Sequence, residues 1–193
     1  MLTKYGHTKI EIGSEVFNLA PSLINISKMG DDKTIVDDFN MLINPTSTLT
    51  SKIITAINVL NCCSDKTLPE SYTGKIEYVN NKFEYIPSDY GDDSINDIII
   101  LAIHLLKHGV CGVSQEDNNQ GGKKLETFDP YEYIELARLH LGCNSEESKN
   151  ITMTEFLRLM NAKFPKEKKE DENSLSIEQQ RSMVEWAKQQ GMV

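Results

Sequence analysis

Two histidines stand four residues apart, His104 and His108, and Cys111 follows three residues later. On a helix an i, i+4 pair shares one face, so the two imidazoles point the same way. Imidazole nitrogen and thiolate sulfur are the ligands of structural zinc, which takes four of them in a tetrahedron. Cys62 and Cys63, which the pattern places just past the end of an earlier helix, are the thiols that could complete such a set. The spacing is not that of a finger or a ribbon, and two adjacent cysteines do not comfortably ligate one ion together. A plainer reading stands beside it. The histidines occupy the C-terminal end of a buried helix, where their partial positive charge is welcome, and the cysteines are small core residues. Structural zinc is the one cofactor these residue types admit, and no other is expected.

The same residues also allow nucleophilic chemistry, with Cys111 beside His108 or Cys63 beside His104. That chemistry needs a third group to orient the base and an oxyanion site, and the sequence points to neither. The carboxylate pairs Asp31-Asp32, Asp37-Asp38 and Asp92-Asp93 fall at helix starts or on helix faces, where negative charge is favourable or simply solvated. Gly121-Gly122-Lys123-Lys124 lacks the spacing of a phosphate loop, and no strand precedes it. No catalytic residue is assigned, and an enzyme is not expected.

The elements that carry these side chains are mostly helices. Thr8 to Ile12 and Glu15 to Leu19 alternate polar with apolar around Gly13-Ser14, which predicts a hairpin. Helices are predicted over Leu23–Met29, Lys33–Leu42 and Leu49–Asn61, and a polar stretch covers Ser64 to Tyr72. A second hairpin, Gly74–Val79 with Lys82–Ile86, turns at Asn80-Asn81 and is expected on the surface. Ser94 can cap the most apolar helix, Ile95–His108, with Gly109 as the residue that ends it. Asp129-Pro130 is a cap followed by a first-turn proline, and Gly142 ends that helix; a short one starts at Ser145. Thr152 to Glu155 has capping-box spacing ahead of a helix to Lys163, and Phe164-Pro165 stops it.

Lys166 to Glu172 is a run of mixed charge with nothing to bury. Ser176 to Gln179 is another capping box, opening a final helix striped with Ile177, Met183, Val184 and Ala187, beside which sits Trp186. A short tethered helix of this kind either folds back on its domain or docks in a partner's groove. The fold expected is mainly α (α+β), a helical core with two small hairpins. Its parts are an N-terminal helical domain over residues 1–114, a C-terminal helical subdomain over 125–165, a charged linker over 166–175 and a terminal amphipathic helix over 176–193.

Bulk composition narrows the function. A net charge of -9 over 193 residues repels phosphate backbones, so nucleic acid is not expected as a partner. No apolar run approaches the roughly 20 residues of a membrane span, and no secretory signal opens the chain, so a membrane is not expected either. Four cysteines in a chain of this length are expected as free thiols in a reducing cytosol.

Three stretches carry a resemblance. They are Ile10 to Phe39 at the start, Ile98-Ile-Ile-Leu-Ala-Ile-His-Leu-Leu-Lys-His-Gly-Val-Cys-Gly112, and Tyr133-Ile-Glu-Leu-Ala-Arg-Leu-His-Leu-Gly142 with Thr152 to Pro165. Together they resemble a family of small proteins encoded among the tail genes of tailed bacteriophages and prophages. The third stretch is also similar to phage tail assembly chaperones, which hold tape-measure protein soluble and recruit tail-tube subunits. The resemblance implies a protein-binding chaperone or scaffold acting on tail-tube or tape-measure protein in the host cytoplasm. The contacts expected are Phe156, Met160, Phe164, Ile177, Met183, Val184 and Trp186. Two other readings stay open: a structural tail component, and a small, zinc-stabilised regulator or anti-defence protein that binds a host factor.

Overall fold

The computed structural model describes residues 4–79, 82–88, 92–113 and 125–165. Residues 1–163 form one compact unit and 164–193 a second, of which the described part is Phe164 and Pro165. The terminal helix expected over 176–193, with Ile177, Met183, Val184 and Trp186, lies outside the described residues, as does the linker.

Strands β1 (Thr8–Ile12) and β2 (Glu15–Leu19) pair antiparallel, Thr8 opposite Leu19 and Ile12 opposite Glu15. Their alternation buries Phe17 and Leu19 and leaves Val16 and Asn18 outward. The returning strand is tied to the next layer at its end: the Asn18 side chain donates to the Asp65 carboxylate at 2.7 Å, and the Ala20 amide to the Cys63 carbonyl at 2.9 Å. Helix α1 (Leu23–Ile26) runs directly into a 3-10 turn over Ser27–Met29, so the single helix expected here is a short α turn that tightens before Gly30.

Helix α2 (Asp32–Ile43) is capped by the Asp31 carboxylate, which accepts from the Thr34 amide at 2.8 Å. Helix α3 (Leu49–Cys63) begins at a Thr48 cap and runs two residues past the end that its pattern suggests. Nothing halts it before Ser64, so Cys62 and Cys63 belong to its last turn rather than to a following loop. The polar stretch after it holds one further turn, α4 (Glu70–Thr73). Strands β3 (Lys75–Val79) and β4 (Lys82–Ile86) pair antiparallel as a separate two-stranded sheet. Tyr78 and Phe83 face each other there with ring centroids 5.0 Å apart, both well exposed.

Helix α5 (Asp92–Leu106) packs along α3 and supplies the centre of the core with Ile98, Ala102, Leu105 and Leu106. Its burial is not complete around the circumference, because Ile100 is 64% exposed. Gly109 does not end it. The chain widens into a π turn over Lys107–Cys111 and stops at Gly112, whose φ is +71°. Gly109 is needed for space rather than for a turn: a Cβ there would lie 2.8 Å from Ile26 Cδ1.

Helix α6 (Pro130–Leu136), capped by Asp129, also relaxes into a π turn, Ala137–Leu141, before Gly142 closes it in the left-handed conformation. Asn144 and Glu147 form the capping box of α7 (Ser145–Asn150), and Thr152 accepts from the Glu155 amide at the start of α8 (Met153–Lys163). The boundary expected between 114 and 125 does not separate two cores. The Leu23 amide donates to the Ile151 carbonyl at 2.9 Å, the Phe128 amide to the Asp32 carbonyl at 3.0 Å, and α1 packs on α6 and α7. The fold is mainly helical with two small hairpins. Among the described residues, no helix is long and apolar enough to cross a membrane.

Candidate functional site

The polar cluster at the junction of α5 and α8 is where the sequence-predicted histidines lie. His104 and His108 do share a face, with ring centroids 4.6 Å apart and planes tilted by 54°. The π turn that begins at Lys107 carries His108, and such widenings recur at functional positions because they re-aim side chains without breaking the helix.

Thr154, fully buried in the first turn of α8, is the hub. Its hydroxyl accepts from the Val113 amide at 2.9 Å, lies 2.9 Å from His108 Nδ1, and is placed to donate to the His108 carbonyl at 3.3 Å. A hydroxyl has one proton and two lone pairs. With that proton on the carbonyl, His108 must donate from Nδ1, which leaves Nε2 as its bare nitrogen. One turn further along α8, the guanidinium carbon of Arg158 lies 5.6 Å from the centre of the Tyr5 ring. The N-terminal segment is pressed onto the cluster: Gly6 has φ +87°, and a Cβ on it would come within 2.3 Å of His108 Cβ.

This surrounding is electropositive. Burial pushes the His104 pKa down; the Gly6 backbone opposes the fall and Lys107 adds to it. Burial also lowers His108, to about 4, with further depression from His104, Lys107 and Arg158. No carboxylate is among the groups that shift either histidine. Among the described residues, three buried polar atoms here have no hydrogen-bond partner, His104 Nε2, Arg158 Nε and Arg158 Nη1, while the His104 ring is also within hydrogen-bonding influence of the Gly6 backbone.

The five residues read as zinc ligands are not one cluster. Cys63 is sealed in the core, its thiol pushed far up by burial. Cys62 sits 3.8 Å from the Asn58 side-chain oxygen and is also raised by burial, with Lys28 and Asp38 as its charged neighbours. Cys111 is exposed as a residue, yet the packing around its thiol lifts it as well. A ligand or nucleophile needs the thiolate, and all three environments oppose it. Among the described residues, no group of three or more His, Cys, Asp or Glu is arranged to hold a metal ion.

The residues expected at a protein contact divide too. Phe156 is only 4% exposed and packs edge-on against Tyr133, which in turn stacks on Phe128, so it belongs to the core. Met160 is half-buried against the same core, and Phe164 falls in the second unit. The exposed face of α6 and its π turn was not anticipated: Tyr131 is 57% and Leu139 76% exposed, with Glu132, Glu135 and Arg138 also exposed. Elsewhere, an open groove of about 420 Å³ beside the Gly13-Ser14 turn offers mainly hydroxyls, from Ser14, Thr67 and Ser71, and one carboxylate, Glu15.

A family model matches residues 40–176, and the chain belongs to that family, a family of unknown function (DUF6246). The match takes in α3 to α8, and with them His104, His108, Thr154, Arg158 and the exposed face of α6, whereas the first hairpin and the Tyr5-Gly6 segment lie before it. No curated protein and no solved structure matches the chain.

Proposed function

We propose that this protein is an assembly factor that binds other proteins, a chaperone or scaffold that holds a phage tail-tube or tape-measure protein soluble in the host cytoplasm. The observation that carries the reading is Leu139, 76% exposed on the π turn that follows α6. It lies in the stretch, Tyr133 to Gly142, on which the likeness to tail assembly chaperones rests. Tyr131 stands near the other end of the same helix, and Glu132, Glu135 and Arg138 separate the two. An apolar anchor and an aromatic anchor framed by charge have the composition of a contact patch: burying either side chain contributes about 1.5–3 kcal/mol, and the charges set register and exclude wrong partners. The apolar stripe of Ile177, Met183 and Val184, with Trp186 beside it, would add a second, tethered contact.

Co-expression of the chain with the tail-tube and tape-measure proteins encoded beside it tests the reading. A client that stays soluble and co-purifies only when the chain is present supports it. A client that aggregates equally with and without the chain overturns it.

A further inference from the structure

We propose that the exposed face of α5 around Ile100 is an interface for a second copy of this chain, the two α5 helices packing antiparallel with Asp97 of each copy opposite Lys107 of the other.

Helix α5 buries Ile98, Ala102, Leu105 and Leu106 in the core, and its outward face is open among the described residues. The helical repeat of 3.6 residues aligns Asn96, Ile100 and Lys107 along that face, with Asp97 at its edge. All four are exposed, and Ile99 and Ile103 are half-buried on its flank. Ile99, Ile100 and Ile103 therefore make one apolar ridge rather than a scattered exposed residue, and removing such a ridge from water drives helix pairing. On the other flank the Tyr5-Gly6 segment lies against His104 and His108, which leaves Ile100 and Lys107 open.

Charge along the face decides the occupant. Asp97 stands toward its N-terminal end and Lys107 toward its C-terminal end, about 15 Å apart at the rise of a helix. Among the described residues, neither is in an ion pair within its own chain. A face acidic at one end and basic at the other is its own complement when turned end over end. A two-fold axis near the level of Ala102 sets Asp97 against Lys107 twice, with the isoleucine ridges between the two pairs, which is the self-complementarity of an isologous dimer. A parallel pairing would instead set like charges together. Two copies of a chain with net charge -9 repel over most approaches, so a face that carries its own cation is where they can meet. Exposed ion pairs of this kind add little affinity but fix orientation. The face shares no residue with the α6 patch proposed to bind a client, so failure of either proposal leaves the other standing.

Sedimentation equilibrium of the full chain over a wide concentration range tests the interface. The parent is expected to show a monomer–dimer equilibrium. Ile100→Asp changes an exposed position, and is expected to keep the parent's circular dichroism spectrum while weakening the dimer at least tenfold. Asp97→Lys brings the chain closer to neutrality, so general repulsion alone predicts tighter association, whereas the antiparallel pairing predicts a weaker dimer. Lys107→Glu is expected to weaken it too, and the two changes combined to restore it. A parent chain that is monomeric at every concentration overturns the proposal and leaves the face to a different protein. So does a dimer that Ile100→Asp leaves intact, or one whose charge variants do not weaken singly and recover together.

Discussion

Thr154 in the first turn of α8 reaches His108 in the π turn that follows α5, its hydroxyl 2.9 Å from the imidazole Nδ1 and 46 residues away in sequence. The π turn after α5 and the start of α8 are thereby joined at one buried oxygen. Thr154→Val keeps the volume and removes every one of these bonds, leaving the Val113 amide and the His108 ring without their partner. The expected loss is about 1–3 kcal/mol of unfolding free energy, seen as a lower urea midpoint at unchanged slope. Thr154→Ser, which restores the hydroxyl and gives up one methyl, is expected to lose less.

The burial of the His108 ring makes stability depend on pH in a stated direction. His108 titrates near 6.5 when unfolded and near 4 in the folded chain, chiefly because burial disfavours the imidazolium. The unfolded state therefore binds more protons between these values, so the stabilisation is complete above 6.5 and is lost as pH falls toward 4. His104, also lowered, adds to the same slope. Urea midpoints measured from neutral pH downward are expected to fall through this window in the parent chain. They should fall less steeply in His108→Gln, whose amide never charges. Identical pH dependence in the two chains would contradict the assignment.

Two glycines with positive φ separate crowding from conformation. Gly6 at φ +87° is pressed on His108, whereas Gly13 at φ +62° in the first hairpin turn has no atom within 4 Å of a built Cβ. Gly13→Ala is expected to lose only the conformational part, about 1–2 kcal/mol. Gly6→Ala must also displace the N-terminal segment from the rings, and a clearly larger drop in melting temperature is expected. Equal losses would mean that the segment is not held against His108.

Local chemistry made much of the fold legible. Alternation around Gly13-Ser14 and the Asp129-Pro130 pair placed a hairpin and a helix start correctly, because those signals act within a few residues. Misreadings came where tertiary packing overrode a local rule. Gly109 looks like a helix stop, but its lack of a side chain serves close contact with Ile26, and the helix continues as a π turn. Of the site, the His104–His108 pair was visible from its spacing alone. Thr154, Arg158, Tyr5 and Gly6 were not, because they reach the pair from segments remote in sequence, and Thr154 and Arg158 sit in a helix whose own pattern reads as ordinary amphipathic packing. Exposed Leu139 escaped notice for a related reason, since the spacing of an ideal helix does not anticipate a π turn.

The proposal that the exposed face of α6 binds a client is tested most directly by titrating an isolated tail-tube or tape-measure protein with the parent chain and with the Tyr131→Asp, Leu139→Asp double variant. Both side chains stand in solvent, so the variant is expected to melt within about 1–2 °C of the parent, as surface changes usually do. Its affinity for the client is expected to fall at least tenfold. Affinity equal to the parent's, in a variant that remains folded, would contradict the account.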